Sequence, residues 1–229
     1  MANVWSTPVY HLVAKTGKQI VVDVTTSVSA GLPPNKLLHD TLVNFFRSKG
    51  VESIVDFGAG ALRHTFPLLQ AGFQVCAVEF EEQFKKPICT EALHKADKHA
   101  NFTKLIWPSD FRKDKRHFDA ALLCYVLQTM PLHEERKLVL KLLRNKLSND
   151  SYLLLMSRYG QISGIPRERT VEDGYYMWPD RAAHSFYTEF TTEETHKMVG
   201  DYGFRSLRSL SERGTDQVIL YGKGGSTWV

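Results

Sequence analysis

The spacing of apolar and polar positions changes rhythm several times along the chain. Val9-Tyr-His-Leu-Val and Ile20-Val-Val-Asp-Val are rich in β-branched residues and flank Lys15-Thr-Gly-Lys, which predicts an opening β-hairpin. Residues 27–34 carry Gly and Pro and read as a loop. Pro33-Pro34-Asn35 introduces a helix with Leu38, Leu42, Phe45 and Phe46 at helical spacing, and Gly50 ends it. Short apolar runs then alternate with helical stretches. Ser53-Ile-Val-Asp-Phe, Gln74-Val-Cys-Ala-Val, Thr103-Lys-Leu-Ile-Trp107, Phe118-Asp-Ala-Ala-Leu-Leu-Cys and Tyr152-Leu-Leu-Leu-Met read as strands. Phe66-Pro-Leu-Leu and the leucine-periodic residues 134–147 read as helices, and Asn149-Asp150 as a turn. Strands alternating with helices predict a parallel sheet covered on both faces.

After the fifth of these strands the rhythm breaks. Residues 158–190 are polar, aromatic and Gly/Pro-bearing, with Asp173-Gly-Tyr-Tyr-Met-Trp-Pro and His184-Ser-Phe-Tyr. A stretch of that length without regular pattern in a compact domain is usually a lid or binding segment, so 158–190 is expected to cover a substrate. Thr191-Thr-Glu-Glu194 has capping-box spacing and starts a helix that runs to about Tyr202-Gly203. Two strands close the chain, the last being Gln217-Val-Ile-Leu-Tyr. With no internal repeat or low-complexity linker, residues 1–229 are expected to form one domain, residues 1–35 being its hairpin and loop.

Composition narrows the class. Of 229 residues 43% are hydrophobic and 24% charged, enough to fill and coat a core, which excludes a disordered or collagen-like chain and a disulfide miniprotein. Lys+Arg exceed Asp+Glu by 29 to 25, a weaker excess than dedicated nucleic-acid binders concentrate on one face. Three cysteines, Cys76, Cys89 and Cys124, lack paired spacing, which fits a reduced intracellular chain. The opening residues lack the pattern of a signal peptide, and the longest apolar run, residues 120–127, is far below the ~20 needed to span a bilayer. A cytoplasmic protein without membrane partners is expected.

The most informative stretch is Ile54-Val-Asp-Phe-Gly-Ala-Gly-Ala61, an apolar strand running into Gly58 and Gly60. Glycine there lets the chain turn sharply and lets a ligand approach the backbone. Glu79 ends the next strand, where a carboxylate can accept hydrogen bonds from both ribose hydroxyls. A dinucleotide fold wants a third glycine three positions after the second; Arg63 stands there instead, and Asp56 before the glycines also departs from that pattern.

Asp-x-Gly-x-Gly with Glu at the end of the second strand resembles the class I S-adenosylmethionine-dependent methyltransferases. Asp110-Phe111 after the third strand, residues 118–131 around the fourth, the leucine-rich helix with Leu153-Leu-Leu-Met, and Tyr187-Thr-Glu-Phe-Thr extend the resemblance over roughly residues 36–222. The family's frequent third glycine is replaced, since Ala61-Leu62 follow Gly60. The resemblance implies an α/β, Rossmann-like, doubly wound sheet of seven mostly parallel strands, here with an N-terminal β-hairpin extension, and S-adenosyl-L-methionine as cofactor. It implies that Asp56, Gly58 and Gly60 surround the methionine part. Glu79 would hold the ribose, Phe80 would lie against the adenine, and Asp110 and Phe111 would complete the adenine pocket. Cys124 and Tyr125 would lie near the sulfonium and the acceptor.

Further candidates come from the residues themselves. His184, among Tyr176, Trp178, Phe186 and Tyr187, has a side chain whose ordinary pKa suits general-base work, or else it packs within the lid. Cys124 fits a small core residue better than a nucleophile. Residues 112–117, Arg-Lys-Asp-Lys-Arg-His, read as a solvated loop, with phosphate contact as the sharper alternative. His184, His196 and the His94/His99 pair show no metal-ligand spacing, so no metal is expected. After the fourth strand stands Cys124-Tyr-Val-Leu-Gln-Thr-Met-Pro, without the Asn/Asp-Pro-Pro-Tyr of amino-directed nucleobase methyltransferases or a Pro-Cys. The expected activity is methyl transfer to an N, O or S atom of a small-molecule acceptor, mainly by alignment and exclusion of water. A tRNA or DNA methyltransferase is the alternative, and a non-catalytic cofactor-binding module the third reading.

Overall fold

The computed structural model describes residues 7–27, 32–158, 164–178, 180–211 and 216–225. The chain opens with the expected hairpin, β1 (Val9–Val13) and β2 (Gln19–Asp23), followed by a 3-10 turn over Val24–Ser27. A π-helical turn, Leu38–Leu42, leads into α1 (Val43–Ser48). Then come β3 (Ser53–Phe57), α2 (Thr65–Gln70), β4 (Gln74–Phe80), α3 (Glu81–Phe84), α4 (Pro87–Ala96), β5 (Phe102–Trp107), α5 (Ser109–Lys113) and β6 (Phe118–Cys124). The helix α6 (His133–Lys146) passes directly into β7 (Leu147–Arg158). Three short strands, β8 (Thr170–Val171), β9 (Gly174–Met177) and β10 (Ser185–Tyr187), precede α7 (Thr192–Gly200), β11 (Phe204–Ser211) and β12 (Asp216–Lys223).

The main sheet has seven strands in the order β11-β12-β7-β6-β3-β4-β5. Only β12 runs against its neighbours, pairing antiparallel with both β7 and β11. The expected doubly wound, mostly parallel sheet with an N-terminal hairpin is therefore the one found. From β3 the chain moves outward through β4 to β5, then returns to place β6 on the other flank of β3. The strand order reverses between β3 and β6, and a crevice opens beyond the carboxyl ends of strands at such a reversal.

Alternation along the buried strands divides the core between the two sheet faces. Val55, Phe57, Val78, Ala121 and Leu123 pack with α6, the hairpin and Trp107 on one side. Ile54, Val75, Ala77, Leu122 and Leu154 pack with α1, α2 and α4 on the other.

Three local features depart from the sequence expectation. The Asn149-Asp150 turn lies inside β7, as a left-handed kink at Asp150 (φ +58°). The pairing with β6 slips there: Phe118 faces Leu147, but Ala120 faces Tyr152. Such an inserted loop of chain is a bulge, and the strand continues past it. Residues 81–96 form α3 and α4, unanticipated, with Pro87 at the start of α4 and Cys89, Ala92, Leu93 and Ala96 buried at helical spacing. Part of the segment from 158 to 190 is also regular: β8, β9 and β10 form a three-stranded antiparallel sheet.

That small sheet and the hairpin are tied together. The His184 N–H donates to Val21 O at 2.8 Å, and the Asp23 N–H donates to His184 O at 2.9 Å. Lys15 N–H donates to Thr170 O at 2.9 Å. Tyr10 Oη donates to Glu135 Oε2 on α6 at 2.7 Å. On α6 the fully buried Arg136 holds the small sheet, pairing with Asp173 and donating from Nε to Met130 O at 2.9 Å. Its guanidinium lies 5.9 and 5.1 Å from the ring centroids of Phe186 and Phe190. Among the described residues no helix is long and apolar enough to cross a membrane.

Candidate active site

A cavity opens at the reversal point, beyond the carboxyl ends of β3, β4 and β6. Its floor is the loop after β3. Gly58 stands at φ +73°, and a Cβ there would lie 2.4 Å from Val126 Cγ2. Only glycine fits both the conformation and the close approach. Gly60 is also left-handed, at φ +54°. Glu79, at the end of β4, reaches this loop: its Oε2 accepts the Gly60 N–H at 3.0 Å, and its Oε1 accepts the Phe80 N–H at 2.8 Å. Burial pushes the Glu79 carboxyl up to about 7, although both amides favour its charged form.

Asp56 lies below the loop, buried, accepting the Thr65 Oγ1 hydrogen at 2.6 Å. Burial raises its carboxyl to about 6. Gly58, Gly60, Glu79, Phe80, Cys124 and Tyr125 all line the cavity. Burial first, and Asp56 second, raise the Cys124 thiol well above its ordinary value, so the group is a protonated wall residue rather than a nucleophile. Tyr125 stands at φ +62°, and its Oη donates to Asp216 Oδ2 at 2.9 Å. Arg63 lies 4.9 Å and Arg158 5.7 Å from its ring centroid.

The structure places the other sequence candidates outside the cavity lining. Asp110 is exposed; its Oδ2 accepts the Ile106 N–H at 3.1 Å and its Oδ1 accepts from Ser109 Oγ at 3.1 Å. Phe111 is fully buried behind the wall, 5.5 Å from the Phe57 ring and 6.1 Å from Trp107. His184 sits in the joint between hairpin and small sheet, its Nδ1 3.0 Å from Trp178 O and its ring 4.9 Å from Tyr176.

Several cavity residues had no sequence signal. His64 is buried in the wall and stacks at 6.1 Å on Tyr125, with no hydrogen-bond partner for Nε2 among the described residues. Burial, then Arg63, lowers its imidazole to about 3, so it is neutral near pH 7. Trp107 pairs in register with Phe80 and joins it in the lining. Gln83, Thr129 and Met130 also line the cavity, and Val24, Thr25 and Ser27 join them from the 3-10 turn after the hairpin. Lys86 fastens that turn, donating to Thr25 O at 2.6 Å and Oγ1 at 2.7 Å.

No family model matches the chain, and no curated protein matches it in sequence. Solved structures do match. An S-adenosylmethionine-dependent methyltransferase from Methanosarcina mazei aligns at 19% identity over 84% of this chain and 99% of its own, with a TM-score of 0.62. The 1,6-didemethyltoxoflavin-N1-methyltransferase of Burkholderia thailandensis, solved with 1,6-didemethyltoxoflavin and S-adenosylhomocysteine, aligns at 18% over 83% and 80%, with a TM-score of 0.59. The magnesium protoporphyrin IX methyltransferase of Synechocystis, solved with S-adenosylhomocysteine, aligns at 18% over 82% and 83%, with a TM-score of 0.56. This chain has the fold of the S-adenosylmethionine-dependent methyltransferases that it matches.

Proposed function

We propose that the protein is an S-adenosylmethionine-dependent methyltransferase acting on an N, O or S atom of a small-molecule acceptor. One observation carries the reading: at the reversal point, the carboxylate of Glu79 is held by the Gly60 and Phe80 amides beside a loop that only Gly58 can form. The remaining lone pairs of that carboxylate suit two adjacent ribose hydroxyls. Phe80 and Trp107 offer apolar faces to a base, and Asp56, buried beneath the glycine loop and outside the lining, places a carboxyl under the end that would carry a cationic methionine group. The cofactor would supply an activated methyl group, leaving the chain to align the acceptor and exclude water.

The remaining residues divide by position. Cys124 and Tyr125 leave β6 at the cavity and are assigned to the methyl-donor and acceptor end. Asp110 and Phe111 act from behind the wall, Asp110 by fixing the turn after β5 and Phe111 by supporting Phe57 and Trp107. His184 joins the hairpin to the insertion, and none of the described residues from 158 to 190 lines the cavity; the cover expected there is supplied by Val24, Thr25 and Ser27. A concave site over which Val24, Thr25 and Ser27 close suits a small acceptor better than a polymer. The Burkholderia and Synechocystis proteins are named for small-molecule substrates, in keeping with that reading.

Calorimetric titration with S-adenosylmethionine, S-adenosylhomocysteine and NAD tests the proposal. Micromolar binding of the first two without NAD is expected. Glu79→Ala should weaken S-adenosylhomocysteine binding by about 1–3 kcal/mol through lost charged hydrogen bonds. Unchanged affinity in a folded variant would remove Glu79 from the site.

A further inference from the structure

Tyr125, at the acceptor end of the cavity, has charged side chains around it. Its Oη donates to Asp216, and Asp216 stands opposite Arg158 in the register of β12 on β7. The other guanidinium at this ring, that of Arg63, lies 4.9 Å from the centroid and lines the cavity, half-buried. Among the described residues it has neither an ion pair nor a hydrogen-bond acceptor. Asp56 attracts it from below the glycine loop, but that carboxylate takes its hydrogen bond from Thr65. A guanidinium lying over an aromatic ring keeps N–H groups in a planar fork, and the fork matches a carboxylate with two parallel hydrogen bonds.

The titratable side chains of the lining, among the described residues, are Arg63, His64, Glu79, Cys124 and Tyr125. None suits the removal of a proton from an acceptor near pH 7. Burial keeps the Cys124 thiol and the Tyr125 hydroxyl protonated, the latter pushed up to about 12. Burial, then Arg63, leaves His64 a weak base at about 3. Glu79 is committed to the Gly60 and Phe80 amides. An acceptor that must first be deprotonated therefore finds no partner here. A neutral amine needs no base, but its methylation would leave a second cation beside the fixed charge of Arg63. A carboxylate needs no base either, and Arg63 attracts it. Given the methyl-donor reading above, we propose that the acceptor is a small-molecule carboxylate, seated by Arg63 beside Tyr125, and that the product is its methyl ester. One carboxylate oxygen forms the new C–O bond as the methyl–sulfur bond breaks. The electron pair of that bond stays on sulfur, the negative and positive charges cancel, and no proton moves.

Titration of the full chain, loaded with S-adenosylhomocysteine, with benzoate and hexanoate, each against its uncharged amide, tests this. The wild type should bind at least one carboxylate at least about tenfold more tightly than the matching amide. Arg63→Met should abolish the preference and leave S-adenosylhomocysteine affinity unchanged, and Arg63→Lys, which keeps the charge without the fork, should retain a reduced preference. With S-adenosylmethionine in its place, the preferred carboxylate should appear as its methyl ester. Absence of any preference in the wild type would overturn the inference while leaving the methyl-donor reading in place, as would a preference undiminished in either variant. Weaker S-adenosylhomocysteine binding by a folded Arg63→Met chain would also overturn it, by placing Arg63 on the methionine group. A carboxylate bound with preference yet never esterified would overturn the ester product. Absence of S-adenosylhomocysteine binding by the wild type would overturn both readings. Melting curves identify an Arg63→Met chain that does not fold, in which case the wild-type preference and the Arg63→Lys result decide.

Discussion

Leu62 stands at φ +61° with its side chain fully buried. Left-handed backbone costs a residue with a Cβ about 1–2 kcal/mol, whereas emptying a buried leucine site costs about 2–5 kcal/mol. The position therefore trades backbone strain for core. Leu62→Gly should lower stability by about 1–3 kcal/mol in urea titration, the lost packing outweighing the relieved strain. A more stable variant would show that strain dominates. The acids of the site set a pH dependence. Their pKa values rise in the folded state, Asp56 to about 6 and Glu79 to about 7, so the native chain holds more protons than the unfolded one between about pH 4 and 7. Stability contributed by these groups falls as pH rises through that window. Ligand binding has the opposite sign, since ribose hydroxyls favour ionised Glu79. Affinity for S-adenosylhomocysteine should increase on the order of tenfold from pH 5.5 to 7.5. Glu79→Gln should flatten the profile; a wild-type profile already flat would exclude this coupling.

Among the elements, α6 joins the main sheet to the small one, and Arg136 is the joint. Arg136 is buried but Asp173 is half exposed, so losing the arginine costs chiefly its hydrogen bonds to the Met130 carbonyl, about 1–3 kcal/mol. Arg136→Met should lower stability by about that much, with hydrogen exchange rising first in β9 and β10; protection unchanged there would place the joint elsewhere. The elements legible in the sequence are those whose burial leaves a local pattern: β3, β4, β6 and β7 as apolar runs, α6 as a leucine stripe. The three-stranded sheet was not legible, because its burial depends on partners far along the chain. The glycine loop, Glu79 and Phe80 could be read because backbone geometry demands those residues in that spacing. Gln83, His64 and Trp107 could not, since nothing local distinguishes a residue facing a cavity from one facing core.

For the molecule as a whole, the cover over the cavity is the turn at Val24, Thr25 and Ser27, which the hairpin before it ties to the small sheet. Ligand and cover should therefore become ordered together. Bound S-adenosylhomocysteine should slow amide exchange in residues 20–25 and 185–187 along with the glycine loop. Slowing confined to the loop would show that the cover is not coupled to the site. The bridge between Val22 and His184 spans 162 positions. During synthesis the hairpin emerges first and has no docking surface until most of the chain has followed, since non-local pairings wait on loop closure. The five parallel strands β3 to β7 precede residue 184 and can pair while the hairpin is still undocked, so a nascent or prematurely ended chain lacking residue 184 would leave the turn over the cavity without that tie. Competence for the ligand would then appear only late in synthesis.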